Sequence, residues 1–321
     1  MRSRRKDEHV ALALAQDEFE HDFDRMRLVH QSLPAFDLNE VSLKSHFFEH
    51  NFDLPVFINA MTGGSERTKE YNRKLALLAR RYNLPMAVGS QHAALDDETL
   101  EDSYRVIREV NPHGFVLGNI NHNASVTEAQ RAIDMIGAKA LQIHINPAQE
   151  LTMDEGDRHF SHWSTNIKAI VDSVDVPVIV KEVGNGVSRE TVAKLKDLGV
   201  KHVDVSGRGG TNFVWIENKR SENKRYDTWT NWGLTTLEAL IDNSESDVEL
   251  LASGGINSAL DVIKALVLGA KGVGMSGYFL RLVEAGNEDS FEMFIEDLKK
   301  LMVLVDAKDI AALKDARYIL K

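Results

Sequence analysis

Eight short apolar runs, separated by amphipathic stretches, constrain this chain more than any other feature of its sequence. They occupy residues 55–60, 84–89, 114–118, 140–146, 176–183, 202–206, 248–253 and 272–276. Each is rich in Val, Ile, Leu or Phe and is followed by Gly, Asn, Ser, Lys or Gln, the pattern of short buried strands. The intervening stretches carry helix signals. Residues 125–136 open on a serine N-cap, 188–198 pair Ser188 with Thr191 and stop before Gly199, and 257–268 open on Asn257 and stop before Gly269. Eight strand–helix units in 321 residues predict an α/β fold, a (β/α)8 barrel rather than an open doubly wound sheet. No G-x-G-x-x-G follows the first strand and no Walker loop is present, which excludes the common nucleotide-binding sheets. No Pro/Gly/Ser-rich linker divides the chain, so residues 1–321 read as one barrel domain, with 1–54 as an N-terminal extension covering the barrel.

Composition narrows the chemistry. The absence of cysteine excludes disulfides, thiolate zinc sites, iron–sulfur clusters and every thiol nucleophile. A net charge of −11 argues against nucleic acid as a main partner. The apolar stretch 10–15 is too short for a membrane span or a signal peptide, so the expected compartment is the cytoplasm, with no membrane partner. Arg2, Arg4, Arg5 and Lys6 crowd the N-terminus. That cluster reads either as a solvated tail or as an arm that brings cations to an anionic ligand.

Glycine punctuation follows several strands: MTGG at 61–64, GRGGT at 207–211, SGG at 253–255 and SG at 276–277. Backbone N–H groups approach phosphate oxygens closely at such places, and barrels put their chemistry at the carboxyl ends of strands. In the fourth run, alternation sets Gln142, His144 and Asn146 on one face and Leu141, Ile143 and Ile145 on the other. The apolar set suits the outer helices, so the polar triplet points into the barrel, where its members must bind each other, water or a ligand. Gln149 and Glu150 follow at the rim. Lys181 alternates with Ile179 and also points inwards, needing an anionic partner or a depressed pKa; Schiff-base chemistry is the alternative reading. Ser206 and Thr211 add hydroxyls to the sixth strand's glycine loop.

These residues, in this order, resemble the type 2 isopentenyl diphosphate isomerases, flavin-dependent enzymes of isoprenoid biosynthesis. The likeness runs through RRKDEH (4–9), INAMTGG (58–64), AVGSQ (87–91), QIHINPAQE (142–150), VKEVGNG (180–186), GGTNF (209–213), ASGGI (252–256) and GMSGYF (274–279), nearly the whole chain. It implies a (β/α)8 fold, bound FMN, a magnesium ion, NADPH for priming, and a homotetramer or homo-octamer acting on isopentenyl and dimethylallyl diphosphate. It also implies site residues. Met61, Thr62 and Gly63 would lie against the flavin, Ser90 and Asn119 at its ring edge, and Lys181 beside the anionic reduced ring. Ser206 and Thr211 would contact the flavin, and Gly254, Gly255, Ser276 and Gly277 its phosphate. Arg5, Lys6, Ser90, Gln91, His92, His144 and Asn146 would hold the diphosphate. Gln149 would lie beside the isoprenyl carbons as the catalytic candidate, and Glu150 would bind magnesium. His92 departs from the arginine common in the family.

Two rival readings remain at this level. FMN-dependent 2-hydroxy-acid oxidases share the sixth-strand glycines but place a catalytic histidine before them, where this chain has Arg208. A non-catalytic flavin- or phosphate-binding protein would leave Lys181 and the polar triplet without a purpose. Trp215, Tyr226, Trp229 and Trp232 in the loop after the sixth strand read as a lid, an interface or internal packing.

Overall fold

The computed structural model describes Glu8, Ala11, Leu12 and residues 22–221 and 224–321. The expected diphosphate ligands Arg5 and Lys6 lie outside the described residues. Eight strands form a closed parallel barrel: β1 (Val56–Ile58), β2 (Met86–Ala87), β3 (Val116–Asn121), β4 (Ala140–His144), β5 (Val178–Lys181), β6 (His202–Asp204), β7 (Glu249–Ser253) and β8 (Gly272–Met275). The ring closes where β8 pairs with β1, Gly274 opposite Phe57. All eight runs expected from the sequence are barrel strands.

Seven of the strands are shorter than the runs that announce them, and the third is displaced. The third run was expected to end at Gly118, whereas β3 continues to Asn121. Gly114 belongs to the preceding turn, its amide donating to the Asn111 carbonyl at 3.3 Å. Gly118 lies inside the strand because Gln91 Oε1 and Leu141 Cδ1 would sit 3.0 and 3.2 Å from any Cβ there. It makes room for a neighbour rather than marking a stop.

Helix starts follow local capping chemistry. Ser125 accepts from the Glu128 amide ahead of the helix Val126–Ile136, with the Glu128 side chain returning to Ser125 N. Ser188 caps Arg189–Asp197 in the same position. For Ala259–Val267 the cap is Ser258, not Asn257, since Ser258 pairs reciprocally with Asp261. Asn257 instead accepts from Arg281 Nη2 at 2.7 Å.

Side chains of Leu141, Ile143 and Ile145 join the packing beneath the helices, and Val178, Val180 and Val203 do the same on neighbouring strands. The interior differs from end to end. A hairpin, Ser45–Phe47 paired with His50–Phe52, closes the end where the strands begin. Its Phe47, Phe48 and Phe52 pack with Phe57 and Phe115 above them, and Leu117, Ala140, Ile179 and Leu251 extend that apolar floor. The Phe48 and Phe115 rings stack at 6.0 Å, and Phe48 meets Phe57 edge-on at 5.3 Å. Glu249 anchors the hairpin by accepting from Phe48 N at 2.9 Å and lying 2.7 Å from His202 Nδ1. The opposite end, where the strands finish, is polar. A short antiparallel pair joins Met26–Leu28 to Tyr318–Leu320. Among the described residues no helix is long and apolar enough to cross a membrane.

The aromatic floor generates a stability prediction. Phe48→Ala should cost about 3–5 kcal/mol, because it removes a buried ring from a plug with no flexible neighbour to fill the gap. A urea unfolding midpoint close to wild type would show that the hairpin does not hold the barrel.

Candidate active site

Polar side chains at the carboxyl ends of the strands form a connected belt inside the barrel. Asp204, at the end of β6, is fully buried and accepts three hydrogen bonds. Its Oδ1 takes Ser253 Oγ at 2.7 Å and the Ser206 amide at 3.1 Å, and its Oδ2 takes Asn59 Nδ2 at 2.8 Å. Gln142 bridges the next strands, donating to Asn59 Oδ1 at 3.0 Å and accepting from Asn119 Nδ2 at 3.1 Å. Asn119 Oδ1 lies 2.8 Å from His144 Nδ1. The inward face of β4 is thus satisfied mainly by its neighbours. Asn59, Asp204 and Ser253 complete the belt and were not singled out from the sequence. Alternation from Phe57 and from His202 would have pointed Asn59 and Asp204 inwards.

Lys181 ends β5 inside this belt, 5% exposed, with its Nζ donating to the Glu182 carbonyl at 2.8 Å. Burial lowers its pKa, while the charges of Asp204 and Glu182 oppose that shift. Burial raises the Asp204 pKa, opposed by Lys181 and the three donors. A carboxyl that receives three donors is best matched by its ionised form, which makes Asp204 the counter-charge of Lys181. Glu182 faces the other way. It accepts from the amides of Val183 and Asn185 at 2.7 and 2.5 Å, and burial pushes its pKa up to about 8.

Two glycine loops meet beside the belt. Gly254 and Gly255 after β7 have φ of +95° and +72°. A Cβ on Gly254 would fall 2.0 Å from the Gly207 carbonyl oxygen, and one on Gly210 would fall 2.8 Å from Gly255 N. Ser206 adopts φ +35° without being glycine, and its carbonyl accepts the amides of Gly184 and Gly186. Such backbone conformations persist where surrounding contacts enforce them. On the first of these loops Arg208 Nε is buried with no hydrogen-bond partner among the described residues. Ser276 precedes the helix Gly277–Glu284 after β8.

Other expected site residues take varied positions. Thr62 is buried and donates its hydroxyl to Asn72 at 2.5 Å, while its carbonyl accepts the Gly89 amide. Gly63 is backed by Tyr104, whose ring would be 2.1 Å from a Cβ there. Met61 is half-buried against the core. The Ser90 carbonyl accepts the Tyr104 hydroxyl at 2.6 Å. Thr211 packs its carbonyl 2.7 Å from the Cβ position of Gly184. His92 opens the helix His92–Asp96.

Two residues expected to hold the diphosphate also have structural work. Gln91 is fully buried and faces the helix Val126–Ile136, donating to Ala132 O at 2.9 Å and accepting from Asn119 N at 2.9 Å. Asn146 caps the helix Pro147–Thr152 by accepting the Gln149 amide at 2.8 Å and donates to Val183 O at 2.8 Å. Both amides therefore hold neighbouring backbone in place.

Gln149 and Glu150 lie on that short helix. Gln149 Nε2 donates to Glu217 Oε1 at 3.0 Å, and Glu217 is itself buried against Arg220. Glu150 Oε2 accepts the Asp157 amide at 2.7 Å. Among the described residues no group of three or more His, Asp or Glu side chains could hold a metal ion. The aromatic loop divides. Tyr226 and Trp229 pack together at 4.9 Å and Lys219 lies over the Trp215 ring, but Trp232 is 70% exposed.

Comparison with known proteins places this geometry in a wider setting. Residues 119–320 match the FMN-dependent dehydrogenase family. An isopentenyl-diphosphate delta-isomerase from Staphylococcus haemolyticus is 48% identical over 325 residues, 99% of this chain and 93% of that protein. The enzyme of the same name from Listeria welshimeri is 48% identical over 328 residues, covering 99% and 92%. Among solved structures, mandelate oxidase superposes with a TM-score of 0.67 at 17% identity, covering 99% of this chain and 96% of that one. At that identity the likeness concerns the fold alone.

Glu182 generates a pH prediction. Its folded pKa of about 8 lies above the ordinary glutamic acid value of 4.5, so the neutral form favours the fold. This contribution is fully present below pH 4.5 and is lost as pH rises towards 8. Glu182→Gln should flatten that decline in unfolding free energy, because an amide oxygen can still accept the two backbone donors. An unchanged slope between pH 5 and about 8 would exclude Glu182 as its source.

Proposed function

This chain belongs to the isopentenyl-diphosphate delta-isomerases within the FMN-dependent dehydrogenase family, and from that premise we propose how its barrel mouth performs the isomerisation. The enzyme converts isopentenyl diphosphate to dimethylallyl diphosphate. The double bond moves when one carbon of an unactivated alkene gains a proton and a neighbouring carbon loses one.

The residues present fit FMN. Glycines fill the positions where any Cβ would collide across the β6 and β7 loops, so backbone amides there can approach a phosphate group. Arg208 Nε, on the β6 loop, is a buried cationic donor without a partner among the described residues. Gly254, Gly255, Ser276 and Gly277 would hold the phosphate, and Met61, Thr62, Gly63, Ser90, Asn119, Ser206 and Thr211 would border the rest of the coenzyme. Because the Thr62 hydroxyl is engaged by Asn72, its contribution would come from the main chain. Lys181 would place its positive charge against the ring, with Asp204 as its counter-charge. The chemistry that reduced FMN supplies when bound is acid/base function at N5 without net redox change.

The remaining roles belong to the chain's own groups. His144 and His92, with Ser90 and the Arg5–Lys6 arm, would bind the diphosphate. Gln149, fixed by Glu217, would orient the hydrocarbon end; an amide is a poor acid or base, so its part is positioning with a direct contact to the reacting carbons. Glu150 would supply one carboxylate to magnesium, with the other ligands coming from diphosphate oxygens and water, a usual arrangement for this ion. NADPH priming, a homotetrameric or homo-octameric assembly and a cytoplasmic location belong to the same proposal.

Alternative readings lose support at particular residues. A hydroxy-acid oxidase needs its base before the sixth-strand glycines, and Arg208 stands there. A Schiff base at Lys181 would sacrifice the cation that faces Asp204. The observation that carries the isomerase reading is near-full-length identity to the isomerases, joined to a glycine cradle beside a buried lysine.

The deciding assay incubates the purified yellow protein anaerobically with isopentenyl diphosphate, magnesium and NADPH. Dimethylallyl diphosphate should accumulate without stoichiometric NADPH oxidation; product formed only with matching NADPH loss would refute the redox-neutral reading. Glu150→Gln should raise the magnesium concentration for half-maximal rate by about tenfold or more. Wild-type metal dependence in that variant would remove Glu150 from the metal site. Gln149→Ala should lower kcat while FMN absorbance is retained, and an unaltered rate would demote Gln149.

A further inference from the structure

We infer that Asp204 is a positioning residue that keeps the proton of His144 on Nδ1, acting through a one-way chain of three amides: Asn59, Gln142 and Asn119. The direction of the chain follows from its charged end. An ionised carboxylate only accepts, so Asn59 must turn its amide nitrogen towards Asp204 Oδ2. Asn59 Oδ1 then faces Gln142 Nε2, and it also accepts the Ala60 amide at 2.8 Å, a second constraint on the same orientation. Gln142 is left with its oxygen towards Asn119 Nδ2. Asn119 therefore shows its oxygen to His144, and Nδ1 must be the donor across 2.8 Å.

Reversing any single amide would set two donors or two acceptors against each other in a dry interior. The cost is that of an unsatisfied buried polar group, so the chain reverses as a whole or not at all. With Nδ1 carrying its proton, Nε2 holds the lone pair and is the nitrogen able to gain a second proton. On the proposed reading of the site, that nitrogen is the one offered to the diphosphate. The relay also solves an electrostatic problem. A carboxylate placed directly on His144 would orient the ring equally well but would repel an anionic substrate. Across three amides, and beside Lys181, the charge orients without repelling.

The inference rests on the proposed function for the purpose of the tautomer, not for its existence, and the test separates the two. Holoenzyme labelled with 15N-histidine would be examined by NMR, with the His144 signals assigned by their loss in His144→Gln. The wild-type ring should carry its proton on Nδ1 and show a lone-pair nitrogen at Nε2. In Asp204→Asn, the two donors Ser253 Oγ and Ser206 N–H keep the new amide's oxygen, which turns its NH2 group towards Asn59. The charge that holds the orientation is then gone and only the Ala60 amide opposes reversal, so an Nε2–H form of His144 should appear beside the Nδ1–H form. Adding Asn119→Asp to that variant should restore the Nδ1–H form, because a carboxylate then faces the ring directly. A wild-type His144 protonated at Nε2 would overturn the inference, and that measurement stands even if no variant accumulates. A purely Nδ1–H ring in Asp204→Asn would overturn it as well. A protein with the expected tautomers but no isomerase activity would instead refute the functional reading.

Discussion

A parallel barrel sealed at one end by aromatic rings has little water to offer the polar groups aimed into it. Each such group must find a partner in the protein or in a ligand. This requirement organises the upper half of the molecule. Phe47, Phe48, Phe52, Phe57 and Phe115 make the floor apolar apart from the His202–Glu249 pair, so most inward polar side chains stand at the level where the strands end. At that level Asn59, Asn119, Gln142, Asp204 and Ser253 satisfy one another in a continuous belt. Lys181 is tolerated because Asp204 balances its charge, and the two together give the mouth a fixed cation backed by a fixed anion.

The division of labour between fold and function follows. Superposition with mandelate oxidase at 17% identity shows that the barrel framework is shared while most side chains differ. Positions at the ends of the strands are then free to differ, and Arg208 before the sixth-strand glycines and the helix bearing Gln149 and Glu150 after β4 stand there. The loops remain glycine-rich where two backbones press together, since Gly254 could not carry a side chain against the Gly207 carbonyl.

Much of this was legible in the sequence because the barrel repeats one physical rule eight times. Each strand is short, apolar on its helix side and punctuated at its end, so a periodic reading finds all eight. The inward direction of Gln142, His144 and Lys181 came from the same alternation. What escaped were partnerships between distant segments. Gln91 and Asn146 read as ligand-binding amides, and nothing local shows that each also holds backbone contributed by another part of the chain. Asp204 was passed over because a single carboxylate inside an apolar run, HVDV, carries no local mark of importance. Its significance depends on Asn59 and Ser253, which only folding brings to it. Gly118 misled for a related reason: the crowding that demands a glycine there comes from Gln91 and Leu141.

Closure of the ring depends on β8 meeting β1, and the clasp depends on Tyr318–Leu320 meeting Met26–Leu28. Both pairings join segments near opposite ends of the polypeptide. While a ribosome is still making the chain, β1 has its inner neighbour β2 but lacks its outer one, and it stays an open edge until the last quarter has emerged. Large loop-closing contacts of this kind slow folding. The nascent protein thus carries an unprotected strand until β8 has emerged, and the arrival of β8 is the event that lets the ring close.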